Sequence, residues 1–205
     1  MKYLLAFCLL IISCLAAAQK KFSKNHLQLL AGTSFNGTGD IRGFAYNTEY
    51  GRSFKKKVSW YAGIGGTIHD KVQPIFFTNQ SGELIDASVR ATTAGFQVEG
   101  LLAYSFIKTE EHDFLVRIGP LFRYQSTSYW DALGVFPPAG TGLPFPVVSF
   151  INISSQRTFA FGGTGQIGYN FTINNKISLG VLAGLQTDTN GDTITQLSLS
   201  IGRRF

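Results

Sequence analysis

Along most of this chain apolar and polar residues alternate one by one, the period that sends successive side chains to opposite faces of a β-strand. Leu197, Leu199, Ile201 and Phe205 are interleaved with Gln196, Ser198, Ser200, Gly202 and Arg204, an amphipathic strand that runs to the last residue. The same pattern predicts seven more. The first runs from about Asn25 to Phe35, with Leu27, Leu29 and Phe35 opposite His26, Gln28 and Ser34, and with Leu30 as an apolar exception on the polar face. A second, from about Phe44 to Phe54, opposes Phe44, Tyr46 and Tyr50 to Ala45, Asn47 and Glu49, and Arg52 breaks its apolar face. Val58 to Ile68 makes a third, Phe96 to Phe106 a fourth, and Phe114 to Gln125 a fifth. Pro120 weakens that fifth strand by removing one ladder donor, and proline in such a place often marks a bulge. The sixth covers Phe159 to Phe171 and the seventh Ile177 to Gln186.

The connections alternate in length. Lys55 to Lys57, Lys108 to Asp113 and Asn174 to Lys176 are short; the stretches 69–93 and 126–157 are long, and 36–43 and 187–193 are modest. All four of the latter fall at the end opposite the three short turns. An even number of strands with this asymmetry is the pattern of a membrane barrel with short periplasmic turns and longer outside loops. The fold class expected is therefore all-β, an eight-stranded antiparallel transmembrane β-barrel with short periplasmic turns and two long extracellular loops. Aromatic residues support the same placement. Phe54, Trp60, Tyr104, Phe106, Phe114, Tyr169, Phe171 and Phe205 fall near periplasmic strand ends, and Phe35, Phe44, Tyr124, Phe159 and Phe161 toward the other ends, as two interfacial girdles require.

The segment 1–18 reads as a signal peptide, with Lys2, an apolar stretch from Leu4 to Leu15 and Ala16-Ala17-Ala18 before Gln19, leaving 19–205 as the barrel domain. The apolar stretch is about 12 residues, short of the roughly 20 that a spanning helix needs. Ile11-Ile12-Ser13-Cys14 resembles a lipobox, so lipidation at Cys14 is the competing reading. Both cysteines, Cys8 and Cys14, lie in this leader, which excludes a disulfide or a thiolate metal site from the mature chain. The formal charge of +6 is scattered apart from Lys55 to Lys57, and gives no nucleic-acid footprint.

Eight strands enclose a lumen just wide enough to be filled by side chains, so an open diffusion pore is not expected. Glu99, Arg117 and Arg123 are predicted to point inward on adjacent strands with Gln97, Gln125, Gln166 and Gln186, and to satisfy one another as ion pairs and hydrogen bonds. A polar plug results; a narrow polar path or small-ligand site is the alternative. Other suggestive patterns carry no chemistry. Asp188 to Asp192 looks like part of a calcium loop but lacks the downstream bidentate glutamate, and reads better as a tight hairpin turning at Asn190-Gly191. The glycine runs 63–66 and 162–165 sit within strand patterns and precede no helix, which argues against phosphate binding. His26, His69 and His112 show no ligand spacing. No catalytic constellation, metal site or cofactor site is expected.

The 126–157 loop holds Tyr129-Trp130, Phe136-Pro137-Pro138 and Leu143-Pro144-Phe145-Pro146, too apolar for a merely solvated connector. Exposed patches of this kind meet a partner, here with Trp130, Phe136 and Phe145 as the interaction surface, or else pack on each other as a cap over the barrel mouth. The 69–93 loop contains the makings of a second hairpin above the membrane.

The chain resembles the small outer-membrane β-barrel family of Bacteroidetes-type Gram-negative bacteria, the broad outer membrane protein beta-barrel domain group. The resemblance spans the mature chain and rests on Ala16-Ala17-Ala18-Gln19, on the run from Gly168-Tyr169-Asn170-Phe171 to Lys176-Ile177-Ser178-Leu179-Gly180, and on Gly202-Arg203-Arg204-Phe205. It implies residence in the outer membrane, contact with outer-membrane lipid and insertion by the outer-membrane assembly machinery. Arg203 departs from the aromatic or apolar residue usual two before the end, and an arginine there can snorkel to the periplasmic interface. The expected role is a structural or interaction barrel that meets an extracellular or envelope protein partner through its loops. A narrow transport channel and a soluble secreted β-barrel for an apolar ligand are the alternatives, and an enzyme is not expected.

Overall fold

Each alternating stretch forms one long strand, and the hairpin connections bring neighbours together antiparallel. The computed structural model describes residues 24–37, 41–78, 81–153 and 155–205; the leader expected over 1–18 lies outside the described residues. In chain order the elements are β1 (Asn25–Asn36), β2 (Ile41–Ser53), β3 (Val58–Gln73), β4 (Phe76–Thr78), β5 (Leu84–Asp86), β6 (Val89–Lys108), β7 (His112–Thr127), β8 (Ala132–Phe136), a single helical turn Pro138–Thr141, β9 (Val147–Ile151), β10 (Arg157–Ile173), β11 (Ile177–Asp188) and β12 (Thr193–Arg204). Eight of these strands close into a barrel in the order β1-β12-β11-β10-β7-β6-β3-β2, with β2 returning to β1. The seam is a full ladder in which Leu29 faces Ile201 and Ala31 faces Leu199.

The faces fall as the alternation predicts, with the usual solvent preference reversed. Outward side chains are apolar and bare: Leu199 is 71% exposed, Ile118 68% and Phe159 67%. Inward ones are buried whether polar or not. Leu101, Leu115, Tyr61 and Ala103 form an apolar cluster inside the barrel, and Leu30, the exception on its strand, is buried there too. Aromatic contacts gather toward both ends of the outer wall. At the short-turn end Phe106 lies 5.3 Å from Tyr104 and 6.1 Å from Phe114, and Tyr50 meets Trp60 at 5.6 Å. At the other end Phe159 contacts Phe122 at 5.7 Å and Tyr124 at 4.8 Å.

Three local features depart from simple alternation. Pro120 produces no bulge: it sits opposite Gly163 in an unbroken register with β10, and the ladder to β6 lapses only between Glu99↔Leu121 and Leu102↔Ile118, where proline offers no N–H. The bulge lies instead at Phe106, between Ser105 and Ile107, and leaves Phe106 and Ile107 both exposed. That extra residue re-aims Lys108 inward, where its Nζ donates to Ser53 Oγ at 3.1 Å. Gly66, on the outward face, is covered by Tyr46, whose hydroxyl would lie 2.9 Å from a β-carbon there.

The strands also run further than their apolar stretches. β3 and β6 stay paired up to Gln73↔Val89, and the outward apolar run gives way there to Asp70, which Arg90 and Thr92 both contact. Above this wall the long loops build their own small sheets, β4 with β5 and β8 with β9. The turn at 188–192 is a hairpin, as expected, but only Gly191 has positive φ, at 81°, and its N–H donates to Asp188 O at 3.0 Å. It is a type I turn closed by a glycine bulge rather than a two-residue Asn190-Gly191 turn.

At the opposite end Asn174 (φ 51°) and Asn175 (φ 55°) form a two-residue turn closed by Lys176 N–H to Ile173 O at 3.1 Å. Asparagine tolerates that left-handed conformation and a β-branched residue does not. Asn175→Val is expected to destabilise the barrel by about 1–2 kcal/mol, and Asn175→Gly to be neutral or mildly stabilising. Urea unfolding of the refolded protein in lipid vesicles measures the difference.

Candidate functional site

The interior is the first place where chemistry concentrates. Arg117 on β7 and Glu49 on β2, each 1% exposed, form an ion pair of 2.5 Å across the lumen. Glu49 also accepts a hydrogen bond from Gln28 Nε2 at 2.5 Å and, through its other oxygen, one from Asn47 Nδ2 at 3.2 Å. Asn47 Nδ2 donates as well to Glu99 Oε1 at 2.5 Å. The guanidinium of Arg117 lies 5.0 Å over the Tyr61 ring, a cation–π contact that adds to its fixation. Gln28, Glu49, Asn47, Glu99 and Arg117 thus make one connected network on four strands.

The ion pair expected between Glu99 and its arginine neighbours on the adjacent strand does not form. Register explains why: Glu99 stands opposite Leu121, while Arg117 stands opposite Ala103, four residues further along β6. Depth in the barrel decides the partner instead. Counted from the short-turn end, Ser53, Gly51 and Glu49 are the first three inward positions of β2, and Asp113, Leu115 and Arg117 those of β7. Glu49 and Arg117 are each the third, so a count from the shared end would have paired them from the sequence.

The remaining predicted interior residues stand apart from this network. Arg123 is fully buried, donates from Nη2 to Thr67 Oγ1 at 3.0 Å, and has no carboxylate within 4.0 Å among the described residues. Gln97 and Gln186 exchange amide hydrogen bonds of 3.2 and 3.3 Å. Gln166 is buried, and its Oε1 has no hydrogen-bond partner.

Two mouths bound the lumen. At the short-turn end a cavity of about 20 Å³, lined by His26, Ser59, Lys108, Asp113 and Arg204 among others, has room for about one water. At the loop end a vestibule of about 400 Å³ is lined by Asn36, Lys71, Gln125, Tyr129 and Asp192 among others. Its floor is the next inward layer, Ser34, His69 and Arg123, all fully buried. Further in lie the buried Leu121, Leu101, Leu115 and Leu182.

Serine–histidine contacts occur twice inside the barrel, His26 Nε2 with Ser178 Oγ at 2.7 Å and His69 Nε2 with Ser34 Oγ at 3.0 Å. Neither histidine is oriented by a carboxylate hydrogen bond, and both pairs are sealed from substrate, so they tie strands together rather than activate a nucleophile. His112 lies outside, with Nδ1 2.7 Å from Tyr169 Oη. The Asp188 carboxylate is occupied by its own turn, accepting the N–H of Asn190 at 3.0 Å and of Asp192 at 3.4 Å.

The loop residues divide. Trp130 stacks on Tyr129 with centroids 5.2 Å apart and meets Phe150 at 5.3 Å, so it packs within its own loop. Phe136 and Phe145 remain more than half exposed, and Phe150, Ile151 and Ile153 extend the apolar surface of this loop. Phe150 and Ile151 belong to β9 with Val147 and Val148, whose apolar character was legible in the sequence while their strand pairing with β8 was not.

No family model and no curated protein matches the chain by sequence. Solved structures do match by shape. Ail, the attachment invasion locus protein of Yersinia pestis, solved in complex with the heparin analogue sucrose octasulfate, aligns with TM-score 0.55 at 12% identity over 90% of this chain and 100% of its own. Neisserial surface protein A aligns with TM-score 0.54 at 10% identity, covering 91% and 100%. The N-terminal β-barrel domain of Pseudomonas aeruginosa OprF gives 0.50 at 10% identity, covering 89% and 99%. At such identities the likeness establishes a fold: the chain shares the eight-stranded barrel of small outer-membrane proteins.

The energetics of the network are open to direct measurement. Removing Glu49 leaves the buried Arg117 without a counter-charge, a loss of about 3–5 kcal/mol, whereas removing both partners restores much of it. In urea titrations of the folded barrel, Glu49→Leu is expected to fall in that range and Glu49→Leu with Arg117→Leu to be the more stable of the two variants.

Proposed function

We infer that this chain is an integral outer-membrane β-barrel of a Gram-negative bacterium, with a side-chain-filled interior and a structural or interaction role carried by the hairpins at its loop end. The observation that carries this is the reversed solvent partition: a closed sheet buries an Arg–Glu pair and glutamines while leaving Leu199, Ile118 and Phe159 bare on every side. In water such a surface exceeds by far the apolar patches that monomers tolerate. In hydrocarbon it is the solvated face, and closure leaves no backbone group unpaired at an edge.

An export leader over 1–18 and insertion by the assembly machinery, as the family resemblance implies, belong to the same proposal. So does membership of the Bacteroidetes-type group. Conduction is the weaker reading, because the lumen is crossed by the Arg117–Glu49 pair and lined by the buried Leu101, Leu115 and Tyr61. An interaction role draws support from the loop end, where Phe136, Phe145, Phe150 and Ile153 stay exposed on a hairpin that is not part of the barrel sheet. The names of Ail, an attachment invasion protein, and of Neisserial surface protein A accord with a barrel whose loops meet something outside the cell.

Leu199 pairs with Ala31 and Val181 near the middle of the wall. Leu199→Arg is expected to destabilise the barrel in phospholipid vesicles by about 2–4 kcal/mol, since arginine at mid-membrane depth is costly. A folded chain that is indifferent to this change, or that remains a soluble monomer without detergent, overturns the membrane reading. In planar bilayers no large steady conductance is expected. Excising 132–150 and rejoining the ends is expected to leave the heat-shifted gel mobility of the folded barrel intact and to abolish capture of an extracellular partner.

A further inference from the structure

Two outward positions break the apolar face of the barrel wall near the short-turn end, Arg52 on β2 and Arg203 on β12, and they flank the same strand. Arg52 stands opposite Asn25 of β1 and Trp60 of β3; Arg203 stands opposite Leu27 of β1 and Ile177 of β11. Backbone hydrogen bonds tie further cations into the same rim. The Ser53 N–H donates to the carbonyl of Lys24 at 2.8 Å, and the Arg204 N–H to the carbonyl of Lys176 at 2.7 Å. Lys176 just before β11, Arg203 on β12, Lys24 just before β1 and Arg52 on β2 therefore lie at the same end of four consecutive strands, Arg52 and Arg203 two strand spacings, or about 10 Å, apart across β1, and Lys55 to Lys57 lie in the next turn. All are exposed.

Among the described residues no acidic side chain pairs with Arg52 or Arg203. The acids of the short-turn end are Glu110 and Glu111 in the turn between β6 and β7, where Glu110 Oε2 accepts from Asn175 Nδ2 at 3.4 Å beside Lys176, and Asp113, which is buried and pairs inward with Arg204 at 3.5 Å. This stretch of the rim therefore carries a net positive charge. Immediately beneath them the wall is apolar and aromatic, with Leu27, Ile177 and Ile201 exposed and Tyr50 meeting Trp60.

We propose that this arc, centred on Arg52, Lys24 and Arg203, binds the headgroup phosphate of an anionic glycerophospholipid in the leaflet next to the short turns. The inference rests on the membrane reading above. The position of the cations selects a lipid over an acidic protein: Arg203 is on the outer wall, and Arg52, which also borders the short-turn mouth with Lys24, is outward by register, both directly above surface that accepts acyl chains. Arginine supplies forked donors suited to phosphate, and its long stem lets the guanidinium rise to headgroup level from an apolar wall.

The test uses the full folded barrel, first in micelles and then in nanodiscs, titrated with phosphatidylglycerol or with phosphatidylcholine of the same acyl chains, with retained lipid counted by native mass spectrometry. The unmodified chain is expected to retain phosphatidylglycerol in preference, and to lose the preference as salt rises. Arg52→Gln with Arg203→Gln is expected to weaken phosphatidylglycerol retention about 25-fold, at roughly fivefold per cation, whereas Arg42→Gln with Arg157→Gln at the opposite end leaves it unchanged. Heat-shifted gel mobility reports folding separately: a chain that never acquires it fails the membrane reading, and a folded chain without a lipid preference fails this proposal alone. Equal retention of the two lipids by the unmodified chain overturns it even if a variant does not fold. Binding of poly-glutamate that depends on Arg52 and Arg203, without any effect of these residues on phosphatidylglycerol, overturns it in favour of an acidic protein partner.

Discussion

The ladder between β1 and β12 is the contact on which the rest of the structure depends. Without it both strands would present a row of unpaired N–H and C=O groups to whatever surrounds the barrel, and in hydrocarbon each such group costs several kcal/mol. With it, the pairing runs unbroken from His26↔Arg204 to Asn36↔Ile194 and the sheet has no edge. Closure then dictates much else. An antiparallel ring needs an even number of strands, which puts the start of β1 and the end of β12 at one mouth, and the hairpins at that mouth carry only the residues needed to turn. Both irregularities of the barrel ladder, the lapse beside Pro120 and the bulge at Phe106, fall between β6 and β7, while the register of β7 with β10 is unbroken.

Closure also determines what the interior must contain. Turning the apolar faces outward leaves the polar residues facing one another across a narrow lumen, where a charge without a partner is strongly unfavourable. Glu49 and Arg117 meet this requirement together, and Gln28, Asn47 and Tyr61 take up the remaining lone pairs and the cation's face. Buried leucines, Leu101, Leu115, Leu121 and Leu182, occupy other inward positions. The result is a barrel whose strands are cross-linked at several depths, by His26 to Ser178 near one mouth and by His69 to Ser34 near the other.

Which residues face in and which face out was legible from alternation, because a period of two survives any error in strand ends. Strand length was not. β6 extends over Val89–Lys108, well beyond the apolar residues that reveal it, because pairing with β3 continues where the outward face has already become polar at Asp70 and Arg90. The bulge at Phe106 was invisible for a related reason: Phe106 and Ile107 are both apolar, and only the inward aim of Lys108 beyond them discloses an extra residue. In the interior, the participation of Glu99, Arg117 and Arg123 was apparent, but their partners were not. Adjacency in the chain suggests neighbours on adjacent strands, whereas long side chains in a narrow lumen meet across it at matching depth, as Arg117 does with Glu49.

The exceptions to the alternation divide into two kinds, and the division is informative. Apolar residues on the inward face, such as Leu30 and Leu101, are absorbed by packing, since the lumen of a barrel this narrow has to be filled. Charged residues on the outward face have no such outlet. A single arginine near a membrane boundary is accommodated by snorkelling and needs no partner. Arg52 and Arg203, however, share a neighbour in β1, with Lys24 heading that strand and Lys176 bonded through its backbone to β12. Snorkelling accounts for each cation alone and draws Arg52 and Arg203 to one level. The acids of that end, Glu110 and Glu111, belong to the β6–β7 turn, Glu110 beside Lys176 through Asn175, so the charge of Arg52 and Arg203 is left to the medium that meets an apolar wall at headgroup level.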